Sequence, residues 1–357
     1  MNPQSPILDR LNSYLRDTIA PQAAILDRDA DRLADAMQGL GDRDLLALRL
    51  PKQWGGSDLD EPTFRTIQIE IARYSGALSF LQTQHQSAGS LLAKSDNDAL
   101  KQEYLPHLAS GARRVGIGFS QLRRPGDPIV KAVPIEAGYK LNGTVPWVTG
   151  YGSFHDFIIG ATLPDGHALY GIVPFRNCQR DGGDIAFGEP MELAVMNSTQ
   201  TAVAEVRQWR LSHDRVLFVK PADAIQTSDR ANVLHHSFFS LGCAQAALDI
   251  LAIAAEKKTL PFIRDTWNAL DRELTQTRDT IFAEQVHPTR TFARRVQLRA
   301  NAITLAVRCA HAAVTASSGA ANSLHHPAQR VYREALLFSV SGQTAAVMEA
   351  TLGQIAS

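Results

Sequence analysis

With 357 residues, 45% of them apolar and 20% charged, the chain is longer than one hydrophobic core usually serves and has the balance of a folded protein rather than a disordered one; at about 150 residues per domain it divides into two or three. Lysine plus arginine and aspartate plus glutamate number 36 each, so no global field recruits nucleic acid or an anionic membrane, and neither is an expected partner. Cys178, Cys243 and Cys309 are odd in number and without metal-type spacing, which excludes a disulfide framework and a zinc site and, with no basic and apolar leader after Met1, gives a cytoplasmic expectation with no metal.

Helical periodicity runs from Pro6 to about Ser110. Ile7, Leu8, Leu11, Leu15 and Ile19 follow three- and four-residue steps, as do Leu33, Met37 and Leu40, and Phe64, Ile67 and Ile71. Breakers at Pro21, Gly39, Gly41, the Pro51–Gly56 stretch and Gly76 cut it into separate helices. From Arg113 the texture changes: Val115, Ile117 and Phe119 alternate, Val130–Ile135 is β-rich, and Gly138–Gly143 reads as a strand entering a turn. Phe157–Ile159, Ala168–Phe175 and Thr201–Val206 continue the series, which predicts a small antiparallel sheet. After about Ser228 the helical period returns in segments 229–257, 262–284, 290–317 and 328–355, predicting an antiparallel bundle. The expected architecture is α+β, mainly α: an N-terminal helical domain over 1–112, a central β-sheet domain over 113–227 and a C-terminal four-helix bundle over 228–357.

Local phrases give this order a likeness. Pro51-Lys52-Gln53-Trp54-Gly55-Gly56 is similar to the Pro-x-x-aromatic-Gly-Gly turn of the acyl-CoA dehydrogenase family, and Gln102–Gly111 to the segment leading into that family's first strand. Leu141-Asn142-Gly143-Thr144-Val145-Pro146-Trp147-Val148-Thr149-Gly150 resembles its Leu-Asn-Gly-x-Lys-x-Trp-Ile-Thr-Asn. Gly242–Asp249 and His326–Ala335 resemble two of its bundle helices, and all these phrases fall in the family's order over nearly the whole chain.

The resemblance implies a flavin, FAD in the family, held between sheet and C-terminal helices in a homodimer or homotetramer that acts on an acyl thioester. It implies that Trp147, Val148 and Thr149 pack against the isoalloxazine, the aromatic shielding the ring and the hydroxyl tuning it by a hydrogen bond. Ser120, Gln121 and Leu122 match the flavin-contact loop, and the resemblance adds Gln343 and Thr344, which follow the position of the family's catalytic glutamate, as further cofactor-binding residues.

At that position stands Gly342, when the chain is aligned on Thr344. The alternative location for the base, on the helix before Gln245, reads Asn232-Val233-Leu234-His235-His236 and holds no carboxylate either. Glu349 and His85 are the candidates left, and His235 and His236 open the bundle. The contact loop is basic at Arg123-Arg124, a pair suited to a phosphate or carboxylate. Glu256–Arg264 lacks the family's Arg-x-x-Phe-Gly, and the Gly-Gly turn is altered at Ser317–Ala321, so FMN, a loosely held reduced flavin and no flavin stand beside FAD. Three functions follow: a flavin-dependent oxidoreductase on an acyl thioester or related acyl substrate with its base unplaced; a two-component flavin monooxygenase using reduced flavin and oxygen, in which an imidazole serves as base or orients a hydroxyl; and a non-catalytic scaffold.

Overall fold

The computed structural model describes residues 5–286 and 291–356. Six helices come first: α1 (Ser5–Tyr14), α2 (Ala23–Leu26), α3 (Ala30–Gly41), α4 (Glu61–Tyr74), α5 (Gly76–Ala93) and α6 (Asp98–Tyr104). Their starts are fixed locally. The side chains of Asp29, Asp60, Ser75 and Asn97 each accept a backbone N–H three residues on, satisfying a donor that the first turn leaves free. Ser75 alone separates α4 from α5, so the two helices meet at a sharp corner.

The middle of the chain forms one sheet of nine strands: β1 (Val115–Gly118), β2 (Val130–Ile135), β3 (Gly138–Val148), β4 (Asp156–Thr162), β5 (Ala168–Pro174), β6 (Cys178–Arg180), β7 (Gly183–Phe187), β8 (Ala202–Ser212) and β9 (Val216–Lys220). The order is β6-β7-β8-β3-β2-β4-β5-β9. β1 and β2 share one edge of β4, and both lie parallel to it, along Asp156–Ile159 and at Thr162 respectively. The sheet is therefore mixed and larger than the small antiparallel one expected. Parallel partners are joined by long connections, so their pairing leaves no turn signal in the sequence.

Six more helices follow: α7 (Ala224–Ala231), α8 (Ser237–Lys258), α9 (Pro261–Val286), α10 (Phe292–Ser317), α11 (Pro327–Val340) and α12 (Ala345–Ile355). Two expected helices are broken. The segment 229–257 is interrupted at residues 232–236, and 328–355 at residues 341–344, where Gly342 takes the left-handed conformation (φ 58°) and the Thr344 side chain restarts the helix by accepting the Val347 N–H. The expected start of a helix at 290 lies outside the described residues.

α8 is long and apolar enough to cross a membrane by length and composition, yet 67% of its apolar window is buried between other helices. At Gly242 it presses against α4: a Cβ there would lie 2.4 Å from the Ile69 carbonyl oxygen. One core cluster runs through all three parts of the chain, from Leu11 and Leu33 through Val148 and Trp209 to Leu248 and Phe338. The C-terminal helices also grip the first ones through charge. Buried Glu334 on α11 pairs with Arg330 and accepts the Gly76 N–H at 3.1 Å, while Arg333 reaches Asp27 at 3.2 Å.

Candidate functional site

A cavity of about 740 Å³ opens where the three parts meet. α5 supplies a polar stripe at helical spacing, Thr83, Gln86, Ser87 and Ser90, continued by Lys94 just past its end, and α4 supplies Glu61, Arg65 and Gln68. The end of β1 contributes Ile117 and Phe119. The remaining walls are the α7–α8 junction with His235 and His236, α10 with Arg295 and Arg299, and the turn carrying Gly342 and Thr344.

Charge on these walls is mostly positive. Glu61 is shared by Arg65 at 2.6 Å and Arg49 at 2.9 Å, and Arg65 gives a further hydrogen bond to Gln68 at 2.6 Å. Burial pushes the Arg65 guanidinium down to about 10 against the opposing pull of Glu61. Asp229 takes Arg123 with two hydrogen bonds, of 2.7 and 2.8 Å, so the arginine expected to hold a phosphate is already paired. Its neighbour Arg124 is exposed and does not line the cavity. Glu284 is the third carboxylate at the cavity.

Gly342 and the 232–236 segment, far apart in sequence, face each other here. A Cβ added at residue 342 would fall 2.5 Å from His236 Nε2 and 2.7 Å from both adjacent ring carbons, which places it over the face of the imidazole. Glycine is what lets that ring lie flat against the chain. The other nitrogen, Nδ1, is 3.0 Å from Ser341 Oγ. Arg299 on α10 staples the two segments together, donating to the carbonyls of Val233 (3.1 Å), Ser341 (2.7 Å) and Gly342 (3.0 Å), while its Nε finds no partner among the described residues. Burial, then the guanidinium groups of Arg299, Arg123 and Arg65, hold the His236 imidazole well below its usual range, so the ring is neutral. Burial and Arg65 act on His235 in the same direction.

Other residues put forward from the sequence lie elsewhere. His85 is fully buried, with Nε2 donating to the Leu108 carbonyl at 3.1 Å and Nδ1 accepting the Val115 N–H at 3.2 Å. It clamps α5 to β1 and does not face the cavity. Glu349 is exposed on α12, in a separate groove against α10. Gln121 turns into the sheet and donates to the carbonyls of Gly118 and Gly160 at 3.3 and 2.8 Å, and Leu122 packs over Gly160. Ser120 is exposed, Val148 is core, and Gln343 donates at 3.5 Å to the Ser339 carbonyl. Of the residues put forward from the sequence, Gly342 and Thr344 reach the cavity wall, together with Arg123, His235 and His236.

Trp147 and Thr149 still suit a planar ring. The Trp147 side chain is 48% exposed at the end of β3, unlike the fully buried Trp209. Thr149 Oγ1 lies 3.0 Å from Thr201 Oγ1, and the nearby Thr199 hydroxyl donates to the Met196 carbonyl at 2.8 Å. Either hydroxyl of the Thr149–Thr201 pair can be the donor. Missed from the sequence were Arg49, Glu61, Arg65, Arg299 and Ser341. The repeat of Glu61, Arg65 and Gln68 along an otherwise apolar helix face was the available signal.

Comparison with known proteins shows what the chain and its fold are similar to. Residues 2–112 match the model of the acyl-CoA dehydrogenase N-terminal domain. The chain is 26% identical over 172 residues to an acyl-CoA dehydrogenase of Bacillus subtilis, covering 46% of this chain and 45% of that protein. It is 29% identical over 152 residues to the mitochondrial isovaleryl-CoA dehydrogenase of Pongo abelii, covering 41% and 36%. The matched stretch thus spans under half the length of either relative. The fold match is broader: butyryl-CoA dehydrogenase from Megasphaera elsdenii superposes with a TM-score of 0.83 over 100% of this chain and 99% of that one, at 16% identity.

Proposed function

Because the chain belongs to the acyl-CoA dehydrogenase superfamily, we propose that it is a flavin-dependent oxidoreductase whose cavity takes a polar acyl thioester. The observation that carries this reading is the meeting of Gly342 with the 232–236 segment across one cavity, since these are the two places where the resemblance puts the base. A flavin, when bound, supplies a two-electron acceptor. Trp147 and Thr149 are the residues that would hold it, by an exposed aromatic face and a hydroxyl already placed by Thr201. The chain's own work is to position the thioester. The serines of α5 offer hydrogen bonds, Arg295 and Arg299 favour negative charge on a carbonyl oxygen, and the polar walls disfavour a long alkyl chain.

The exposed apolar side chains of Leu336, Val340, Met348, Leu352 and Ile355 on α11 and α12 support a homo-oligomer assembled through these helices. Three unbridged cysteines accord with a reducing cytoplasm. A second reading, the two-component monooxygenase, draws on the neutral imidazoles of His235 and His236 in a cavity whose base position has no carboxylate.

The visible spectrum of the purified protein, with titration by FAD, FMN and reduced flavin, tests both. Bound flavin bleached by an acyl-CoA without oxygen supports the oxidoreductase reading. Weak binding of oxidised flavin and oxygen-dependent product formation with an external reductase moves the choice to the monooxygenase. Failure to bind flavin in any redox state sinks both.

A further inference from the structure

We propose that His236 takes the place of the missing carboxylate, with Nε2 receiving the proton from the carbon next to the thioester carbonyl and Ser341 acting as the positioning residue that fixes the ring. This rests on the reading of the cavity as an acyl thioester site. Three observations carry it, none of them visible in the sequence alone.

The ring lies over residue 342, and it can do so because that residue is glycine: any side chain would place its Cβ 2.5 Å from Nε2. Where the resemblance expects a glutamate, glycine leaves the space that the imidazole enters from the facing segment. Nδ1 is engaged at 3.0 Å by Ser341 Oγ, whereas Nε2 has no hydrogen-bond partner among the described residues, and His236 lines the cavity. A ring held at one nitrogen and open at the other is the arrangement a general base requires. The proposal requires the tautomer with its N–H on Nδ1, donating to Ser341 Oγ, which leaves the lone pair on Nε2 for the substrate.

The step balances without any oxidant. The Cα–H bond of the thioester breaks, the proton passes to Nε2, and the electron pair stays on the substrate as an enolate whose oxygen is stabilised by the cationic wall. Imidazole becomes imidazolium as the neutral thioester becomes an enolate, so the net charge is unchanged, and the new anion offsets the burial and neighbouring arginines that otherwise disfavour an imidazolium. Return of a deuteron from heavy water reverses the step and marks the carbon.

Two measurements on the full chain test this. In the first, selective ¹⁵N-histidine labelling reads the tautomer of each ring by NMR, with His236→Gln identifying the resonance. The Nδ1–H form is expected in the wild type and its preference lost in Ser341→Ala; an Nε2–H ring in the wild type overturns the proposal. In the second, α-deuterium wash-in to butyryl-CoA and glutaryl-CoA is followed without oxygen after FAD loading. His236→Gln is expected to slow exchange by about 10²- to 10⁴-fold. The double variant His236→Ala with Gly342→Glu is expected to recover part of it. Exchange by His236→Gln at the wild-type rate, or no exchange by a wild type that binds flavin, removes the base assignment and leaves the oxidoreductase reading standing. Absence of flavin binding removes that reading, and this proposal with it.

Discussion

A buried imidazole whose two nitrogens both serve the backbone can titrate only by giving up a hydrogen bond. His85 is in that position, and burial pulls its pKa from the ordinary 6.5 to about 4. The folded value is the lower one, so the neutral clamp stabilises the fold fully above about pH 6.5, and that contribution is lost as the pH falls from 6.5 towards 4. A depression of this size amounts to about 3 kcal/mol. Urea midpoints measured from pH 7 to pH 4 should therefore fall, and the slope should flatten in His85→Leu, which is also weaker at pH 7. An unchanged slope in that variant would show that the ring is not linked to folding. The family resemblance put His85 in a segment facing the substrate cavity, and of that segment Gln86 and Ser87 do line it while His85 does not. Which face of α5 it occupies was settled by packing against β1.

At the scale of elements, the cavity depends on how closely α4 and α8 approach, and Gly242 sets that distance. With the Ile69 carbonyl oxygen 2.4 Å and the Ala72 Cβ 2.6 Å from where a Cβ would stand, the helices must separate to admit even one methyl group. Gly242→Ala is expected to destabilise the protein by about 1–3 kcal/mol, as overpacking does, despite the better helix propensity of alanine. Chemical denaturation measures it, and a variant as stable as the wild type would mean that α4 moves freely. Because α4 carries Glu61 and Arg65, the same change should weaken flavin or acyl-CoA binding. The Gly-x-x-Gln-Ala phrase was legible in the sequence, but its glycine could be read only as a family mark. Its physical reason is a backbone contact with a helix some 170 residues earlier, a separation estimated from the positions of Gly242 and Ile69.

Across the whole molecule, α11 and α12 turn an apolar face outward while the rest of the apolar surface is scattered. Light scattering is expected to give a multiple of the chain mass, and Leu336→Glu combined with Leu352→Glu is expected to shift it to the single chain. A wild type that runs as a monomer would refute assembly through this face. Hydrophobic periodicity and breaker residues, which act over a few neighbours, were enough to determine the order helices, sheet, helices, while the family resemblance alone pointed to residue 342 as the place to look for a base. Two helix breaks, at 232–236 and 341–344, escaped it because each is held by Arg299 from a third segment. The sequence by itself thus determined that Gly342 is not an acid. Only the tertiary structure decided that His236 lies against it, since the space beside a glycine is filled by whatever distant segment the core packing brings there.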